Sequence, residues 1–318
     1  MKNRLSVFAA LCALVCLIAA SEQVISGCRE GLRLCVELIL PSLFPFFVVS
    51  GLLVRLGFPQ RLGRLLGPGA GKLFHVSGCG VSALFIGLCG GYPLGAAYLA
   101  DLMRDGAISK EEGGHLLSFC NNSGPAFIIG AVGIGVFASV KIGLLLYSVH
   151  ILAAMLTGFL LRGRSRPFSS QEISPLPSSG LAEALPEAVR SAVLAILNVC
   201  GFVTCFSVLT GLLDADGWFS LLSGFLSARL GTELHWCRAL LTGFWELGGG
   251  IGALRGLGAS PRNLALAAGI LGWGGISVHF QTLAMLADLD VKSAPHTAGR
   301  LLSAIFSSLL AWLLSPLL

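Results

Sequence analysis

Apolar residues in this chain gather in runs long enough to cross a bilayer, instead of alternating with polar positions. A helical crossing takes about 20 predominantly apolar residues. By that measure, residues 5–24, 32–56, 76–103, 115–137, 142–161, 189–213, 237–257, 264–287 and 301–317 are candidate spans. The pattern predicts an all-α polytopic membrane protein. Between the fifth and sixth runs, residues 163–187 hold Arg164, Arg166, Ser169, Ser170, Pro175, Pro177, Ser178 and Ser179, the composition of a cytoplasmic linker. Segment 218–229 mixes Trp218, Phe219, Leu221, Leu222 and Phe225 with polar positions. It predicts an interfacial helix, with a short re-entrant piece as the alternative.

Composition sharpens this picture. Of 318 residues, 55% are hydrophobic and 12% charged, against about 25% charged in a soluble domain. Lipid must therefore be the main solvent. The net charge of +5 is spread too thinly for nucleic-acid binding and reads as membrane topology. Ten cysteines sit mostly inside apolar runs without CxxC or Cys/His metal spacing, as small buried hydrophobes do. No metal or cofactor is expected. Lys2 and Arg4 before the run 5–20 resemble a signal peptide. With so many apolar runs downstream, residues 1–30 are expected to be an uncleaved first helix.

The chain resembles itself on either side of the linker. Glu30-Gly31-Leu32-Arg33 meets Glu187-Ala188-Val189-Arg190 at a shift of 157, and Gly95-Ala96 meets Gly252-Ala253 at the same shift. Gly87 meets Gly243 at 156, and the region 121–124 falls near 273–276. Each half runs apolar helix, Gly-broken segment, second broken segment, closing helix. This predicts two repeats, 31–162 and 188–318, the usual plan of secondary transporters. If the Gly-broken second element of each half is a re-entrant hairpin, the halves are inverted; if every run crosses, there are nine crossings in parallel halves. Positive charge favours inversion with the N-terminus inside, since Arg55, Arg61, Arg64, Lys72, Arg104, Lys110 and Arg162 then share the cytoplasmic side. Arg229, Arg238, Arg255 and Arg262 count against it.

Four motifs carry candidate chemistry. Gly90-Gly91-Tyr92-Pro93-Leu94-Gly95 should break a helix in mid-span, because Pro93 lacks a donor and glycine tolerates non-helical dihedrals. Asn121-Asn122-Ser123-Gly124-Pro125 sets adjacent polar side chains and freed amides at one depth. Trp245-Glu246-Leu247-Gly248-Gly249-Gly250 places an ionisable carboxyl within an apolar run, a coupling candidate for H+ or Na+. Trp273-Gly274-Gly275-Ile276-Ser277-Val278-His279 predicts another broken helix, with His279 a second coupling candidate. Each has a plainer alternative: a Pro kink, interhelical hydrogen bonding, a salt-bridged Glu, a satisfied His. The predicted substrate-binding set is Gly91, Tyr92, Pro93, Asn121, Asn122, Ser123, Gly124, Gly249, Gly274, Gly275 and Ser277. Helix N-termini brought to mid-membrane suit carboxylates, while Asn and Ser suit ring nitrogens and carbonyls, so a small polar or anionic ligand fits better than a lipid. A Gly-x-Ser-x-Gly elbow, a His-Glu-x-x-His zinc motif and a phosphate-binding Gly-Lys loop are all missing, so enzymatic chemistry is not expected. A homo-oligomer is compatible with the sequence.

The ordered set Leu40-Pro41-Ser42-Leu43-Phe44-Pro45-Phe46, Gly90 to Gly95, Gly106-Ala107-Ile108-Ser109 and Asn121-Asn122-Ser123-Gly124-Pro125-Ala126-Phe127 resembles the YlbJ/SpoVV sporulation integral membrane proteins of the nucleoside-recognition, or Gate-domain, group. The resemblance implies a multi-span transporter distantly similar to concentrative nucleoside transporters, sited in the mother-cell or outer forespore membrane. It implies dipicolinic acid, a pyridine with two carboxylates, as the cargo in endospore formation. A nucleoside-type permease and a non-transporting sporulation scaffold are the alternatives.

Overall fold

A computed structural model describes residues 2–162 and 180–318, and every described element is helical. Most of the predicted linker, 163–179, lies outside the described residues. The next helix begins at Leu181, within the last part of the predicted linker.

Helix α1 (Lys2–Ala19) leads into α2 (Ser21–Arg55). At 35 residues α2 is about 53 Å long, well beyond the ~30 Å hydrocarbon layer. Its first half carries Glu22, Arg29, Glu30, Arg33 and Glu37, so the apolar stretch from Leu38 to Val54 is the part suited to lipid. Next come α3 (Phe58–Phe74) and α4 (Gly78–Gly90), set at 93° to each other, with His75 left-handed at the corner. The start of α4 is capped twice over. Ser77 Oγ accepts the Gly80 N–H at 3.1 Å, and the Ser77 N–H donates to the buried Glu112 carboxylate at 2.6 Å. Glu112 is in turn held by the Ser109 cap of α6 (Lys110–Leu117).

Residues 76–103 do not form a crossing helix. After α4 the chain turns at Gly91–Pro93 and returns as α5 (Leu94–Arg104). The pairing is antiparallel: Gly95 lies on Gly87, and Ser82 Oγ lies 3.3 Å from Tyr98 Oη. Arg104, at the far end of α5, donates to both oxygens of Asp288 at 2.7 and 2.8 Å and to the Met285 carbonyl. Arg104 depresses the Asp288 carboxyl from 3.8 to about 2. This ion pair is thus fully formed above about pH 4 and fades only as pH falls toward 2.

Residues 115–137 are also interrupted. Helix α6 stops at Leu117, residues 118–124 are unwound, and α7 (Ala126–Ile134) follows with π-type turns. Then come α8 (Val140–Leu161), α9 (Leu181–Ala215) and α10 (Trp218–Leu230). The last leaves Trp218, Leu221, Leu222 and Phe225 exposed. A second reversal joins α11 (Leu234–Trp245) to α12 (Leu247–Gly252), with Gly250 pressed on Gly243. A Cβ on Gly252, the expected partner of Gly95 by repeat, would meet open space, and the close approach in the second turn falls at Gly250 instead. Helices α13 (Pro261–Trp273) and α14 (Gly275–Met285) are halves of one span broken at Gly274, and α15 (Ala294–Leu317) closes the chain.

Among the described residues five helical stretches are long and apolar enough to cross a membrane, six if the bent α3–α4 pair counts as one, fewer than the nine candidates. Glycine, proline and asparagine turn four of the apolar runs into hairpins or broken rods, of which only 264–287 still counts as one span, and the first run forms a helix too short for the count. The expected burial of the cysteines is corrected in part. Cys35, Cys79, Cys120 and Cys237 are buried, but Cys12, Cys16 and Cys205 are exposed on apolar faces, which lipid tolerates.

Glycine sets the closest approaches. A Cβ at Gly87 would lie 1.6 Å from the Cys120 carbonyl oxygen, whereas one at Gly201 meets open space. Gly87→Ala should therefore destabilise by about 3 kcal/mol, while Gly201→Ala, in mid-helix and open space, leaves the unfolding temperature unchanged or slightly raised. Thermal unfolding of the detergent-purified variants tests this, and equal melting would refute the packing.

Candidate functional site

Two turns and two breaks meet at one place. A Cβ on Gly91 would lie 2.7 Å from the Gly124 nitrogen, so the first turn rests on the first break. A Cβ on Gly275 would lie 2.9 Å from the Leu247 nitrogen and 3.2 Å from the Glu246 Cα, so the second turn rests on the second break. A Cβ on Gly274 would lie 3.1 Å from the Tyr92 hydroxyl, which joins the two pairs. Gly91, Gly274 and Gly275 all have φ near +80°. At these positions only glycine combines the left-handed backbone with so close an approach.

The unwound segments are tied by side chains from outside them. The Ser123 N–H donates to His150 Nε2 at 3.1 Å. Asn121 Nδ2 donates to Thr282 Oγ1 at 2.7 Å, which links the first break to α14. Asn122 Nδ2 donates to the Phe119 carbonyl, and its Oδ1 accepts from Arg300 Nη2 at 3.2 Å. His279 Nδ1 lies 2.9 Å from the Gly275 carbonyl, and its ring packs 4.3 Å from Trp273. Glu246 sits in extended backbone at the start of α12, where its two carboxylate oxygens accept the Gly248 and Gly249 N–H groups at 2.9 and 2.5 Å.

Between the turns lies a chamber of about 40 Å³. Its polar lining is Tyr92, Ser123, Gln281 and Glu246 with Gly124 and Gly248; its apolar wall is Ile39, Leu43, Phe127, Val199, Val203, Leu247 and Val278. At about 10–15 Å³ per water, it holds a few waters and no organic ligand. Two larger cavities flank it. One, about 570 Å³, is lined by Arg55, Pro93, Asp101 and Ser191. The other, about 480 Å³, is lined by Glu30, Asp214, Arg238, Glu246 and Gly249. Helices α2 and α9 run antiparallel, Gly51 against Ala188 and Gly27 against Val208, so the two cavities open at opposite ends of this pair. Arg238 pairs with Asp214 at the second mouth.

Of the predicted binding residues, Tyr92, Ser123 and Gly124 line the chamber; Gly91, Gly274 and Gly275 build it from behind; Pro93 and Gly249 face the flanking cavities. Asn121, Asn122 and Ser277 are fully buried beside it and outside its lining. Arg300 was missed. The last apolar run was drawn from 301, whereas α15 starts at Ala294 and carries Arg300 fully buried in its second turn. The signal was present as a polar stripe at helical spacing: His296, Arg300, Ser303 and Ser307.

No known family profile matches the chain. It is 33% identical over 312 residues to the sporulation integral membrane protein YlbJ of Bacillus subtilis (strain 168), covering 90% of this chain and 76% of that protein. Its fold is like that of CNTnw in an inward-facing substrate-bound state, with a TM-score of 0.50, 14% identity, and coverage of 99% of this chain and 84% of that one. The likeness shows an all-α fold of the concentrative-nucleoside-transporter type.

The Glu246 carboxylate acts here as a helix cap. Glu246→Ala removes both acceptors and should cost about 1–3 kcal/mol, since charged hydrogen bonds of this kind are worth that much. Glu246→Gln keeps one acceptor and should fall between. An Ala variant that melts with the parent in detergent would contradict the capping role.

Proposed function

The chain belongs to the family of the sporulation integral membrane protein YlbJ, and from that membership we propose that it carries a small organic anion, dipicolinate first among candidates, across a membrane during endospore formation. The carrying observation is the convergence of both turns and both breaks on one chamber between two opposed cavities. Backbone unwound in hydrocarbon leaves donors and acceptors unpaired at several kcal/mol each, so it persists where protein, water or ligand satisfies it. Secondary transporters use such sites, with inverted repeats moving around them.

On this reading residues 31–162 and 188–318 are two inverted repeats, and 163–187 joins them in the cytoplasm. Hairpin α4–α5 corresponds to α11–α12, and the break at 118–124 to that at Gly274. The cavity at Arg55 opens to the cytoplasm, because Arg55, Arg61, Arg64 and Lys72 cluster there. A 40 Å³ chamber is an occluded, contracted form; ligand sites run to about 300 Å³ or more. Substrate enters when a hairpin tip withdraws. Glu246 and His279 are the coupling candidates for H+ or Na+; of the two, Glu246 touches both the chamber and a cavity. The membrane is the mother-cell or outer forespore membrane.

The fold likeness to CNTnw favours a second reading, a permease for neutral nucleosides. Uptake of labelled dipicolinate into proteoliposomes, with and without pH or sodium gradients, separates them. We expect saturable uptake that unlabelled dicarboxylate abolishes and nucleosides leave intact. Uptake no greater than that of empty vesicles, with protein correctly inserted, would end the anion reading; competition by nucleosides alone would establish the permease.

A further inference from the structure

Arg300 is fully buried, yet among the described residues it has no carboxylate partner. Its neighbours are neutral. Nη1 donates to the Tyr92 hydroxyl at 2.6 Å, and Nη2 donates to Asn122 Oδ1 at 3.2 Å and Ser303 Oγ at 3.1 Å. The Nε–H finds no partner. A guanidinium removed from water and left unpaired is costly, so buried arginines ordinarily face a carboxylate or phosphate. This one faces the back of the residue that walls the chamber.

The same neighbourhood is short of hydrogen bonds on every side. Among the described residues Ser123 Oγ, Asn121 Oδ1 and Ser277 Oγ are buried without partners, and so are His279 Nε2 and His296 Nε2 on rings 5.0 Å apart. Native interiors leave few such groups, and a cluster of them marks a place that water or ligand occupies.

We propose that Arg300 is the carboxylate-recognition residue of the transport site, and that the Tyr92 hydroxyl occupies its Nη1 in place of a substrate oxygen while the chamber is contracted. Tyr92 is both chamber lining and the cover of Arg300. When the tip bearing Tyr92 withdraws, Nη1 is uncovered at the chamber wall and the Nε–H is still unused. A substrate carboxylate on Nη1 then brings a full countercharge where the hydroxyl offered only a neutral dipole. Glu246 stands on the opposite side of the Gly274–Gly275 break, so the site has a positive and a negative pole. An acid's carboxylate is thereby directed to the Tyr92 side. The assignment rests on the anion-transport reading and adds the residue that selects the anion.

Calorimetric binding to nanodisc-embedded full-length protein tests it, with dipicolinate, picolinate and the neutral pyridine-2,6-dicarboxamide as probes. Arg300→Gln should weaken dipicolinate by about 30-fold or more, as loss of one partner of a buried charged contact does, and change the diamide by less than about threefold. Arg300→Lys should fall between, because it keeps the charge and loses the planar group that Asn122 and Ser303 hold in place. Tyr92→Phe should bind dipicolinate at least as tightly as the parent, since nothing then competes for Nη1. Arg300→Gln that binds dipicolinate like the parent, or that loses acid and diamide equally, overturns the assignment while leaving transport intact. Should Arg300→Gln not fold, Tyr92→Phe decides: a roughly tenfold or greater loss of dipicolinate affinity overturns it. A parent protein that binds the diamide and no acid also overturns it, and one that binds none of the three overturns the transport reading with it.

Discussion

The constraint on which this structure depends is the cost of an unpaired amide in hydrocarbon. A helix that stops in mid-membrane frees donors and acceptors at both cut ends, and lipid offers them nothing. Here the cut ends close on other parts of the same chain: Gly91 seats on Gly124, the start of α12 seats on Gly275, and His150 takes the Ser123 N–H. The contacts are between backbones, which is why glycine recurs at them. A protein that breaks helices must place small residues opposite the breaks, and these two needs together account for Gly91, Gly124 and Gly275.

Much of this was legible in the chain, for reasons that are themselves physical. Proline and glycine at 90–95, and paired asparagines before Gly124-Pro125, cannot extend a membrane helix, so the first turn and first break stand out. The Trp-Gly-Gly run at 273–275 does the same for the second break. Glu246 was legible as a buried acid but not as a cap, because capping depends on the chain reversing at that residue. The number of spans was overstated because apolar length alone does not distinguish a rod from a hairpin of equal length. Arg300 was hidden by its own charge: a hydropathy window ends at an arginine, whereas the helix runs seven residues further back, to Ala294. The asparagines stood out by polarity, yet their amides go to Thr282, Phe119 and Arg300, so polarity marked the neighbourhood and not the lining.

Charge is arranged with the same economy. Outside the apolar segments it makes exposed pairs, Arg104 with Asp288 and Arg238 with Asp214, at the two ends of the molecule. Inside, the buried Arg300 on α15 and the buried Glu246 carboxylate at α12 are each held by neutral dipoles instead of by the other. Keeping them apart leaves a field across the chamber, whereas a direct pair would have cancelled it.

The chamber has two unlike walls. One is peptide against peptide, Gly91 on Gly124 and Gly275 on Glu246–Leu247, where no side chain fits. The other is a smooth face of Ile39 and Leu43 on α2 with Val199 and Val203 on α9. Evolution, or an engineer, has little latitude on the first, because a change in a tip demands a simultaneous change in the break beneath it. Across homologues the glycine pairs should drift together or stay still, while divergence in cargo size should be written in the branched aliphatic residues of α2 and α9.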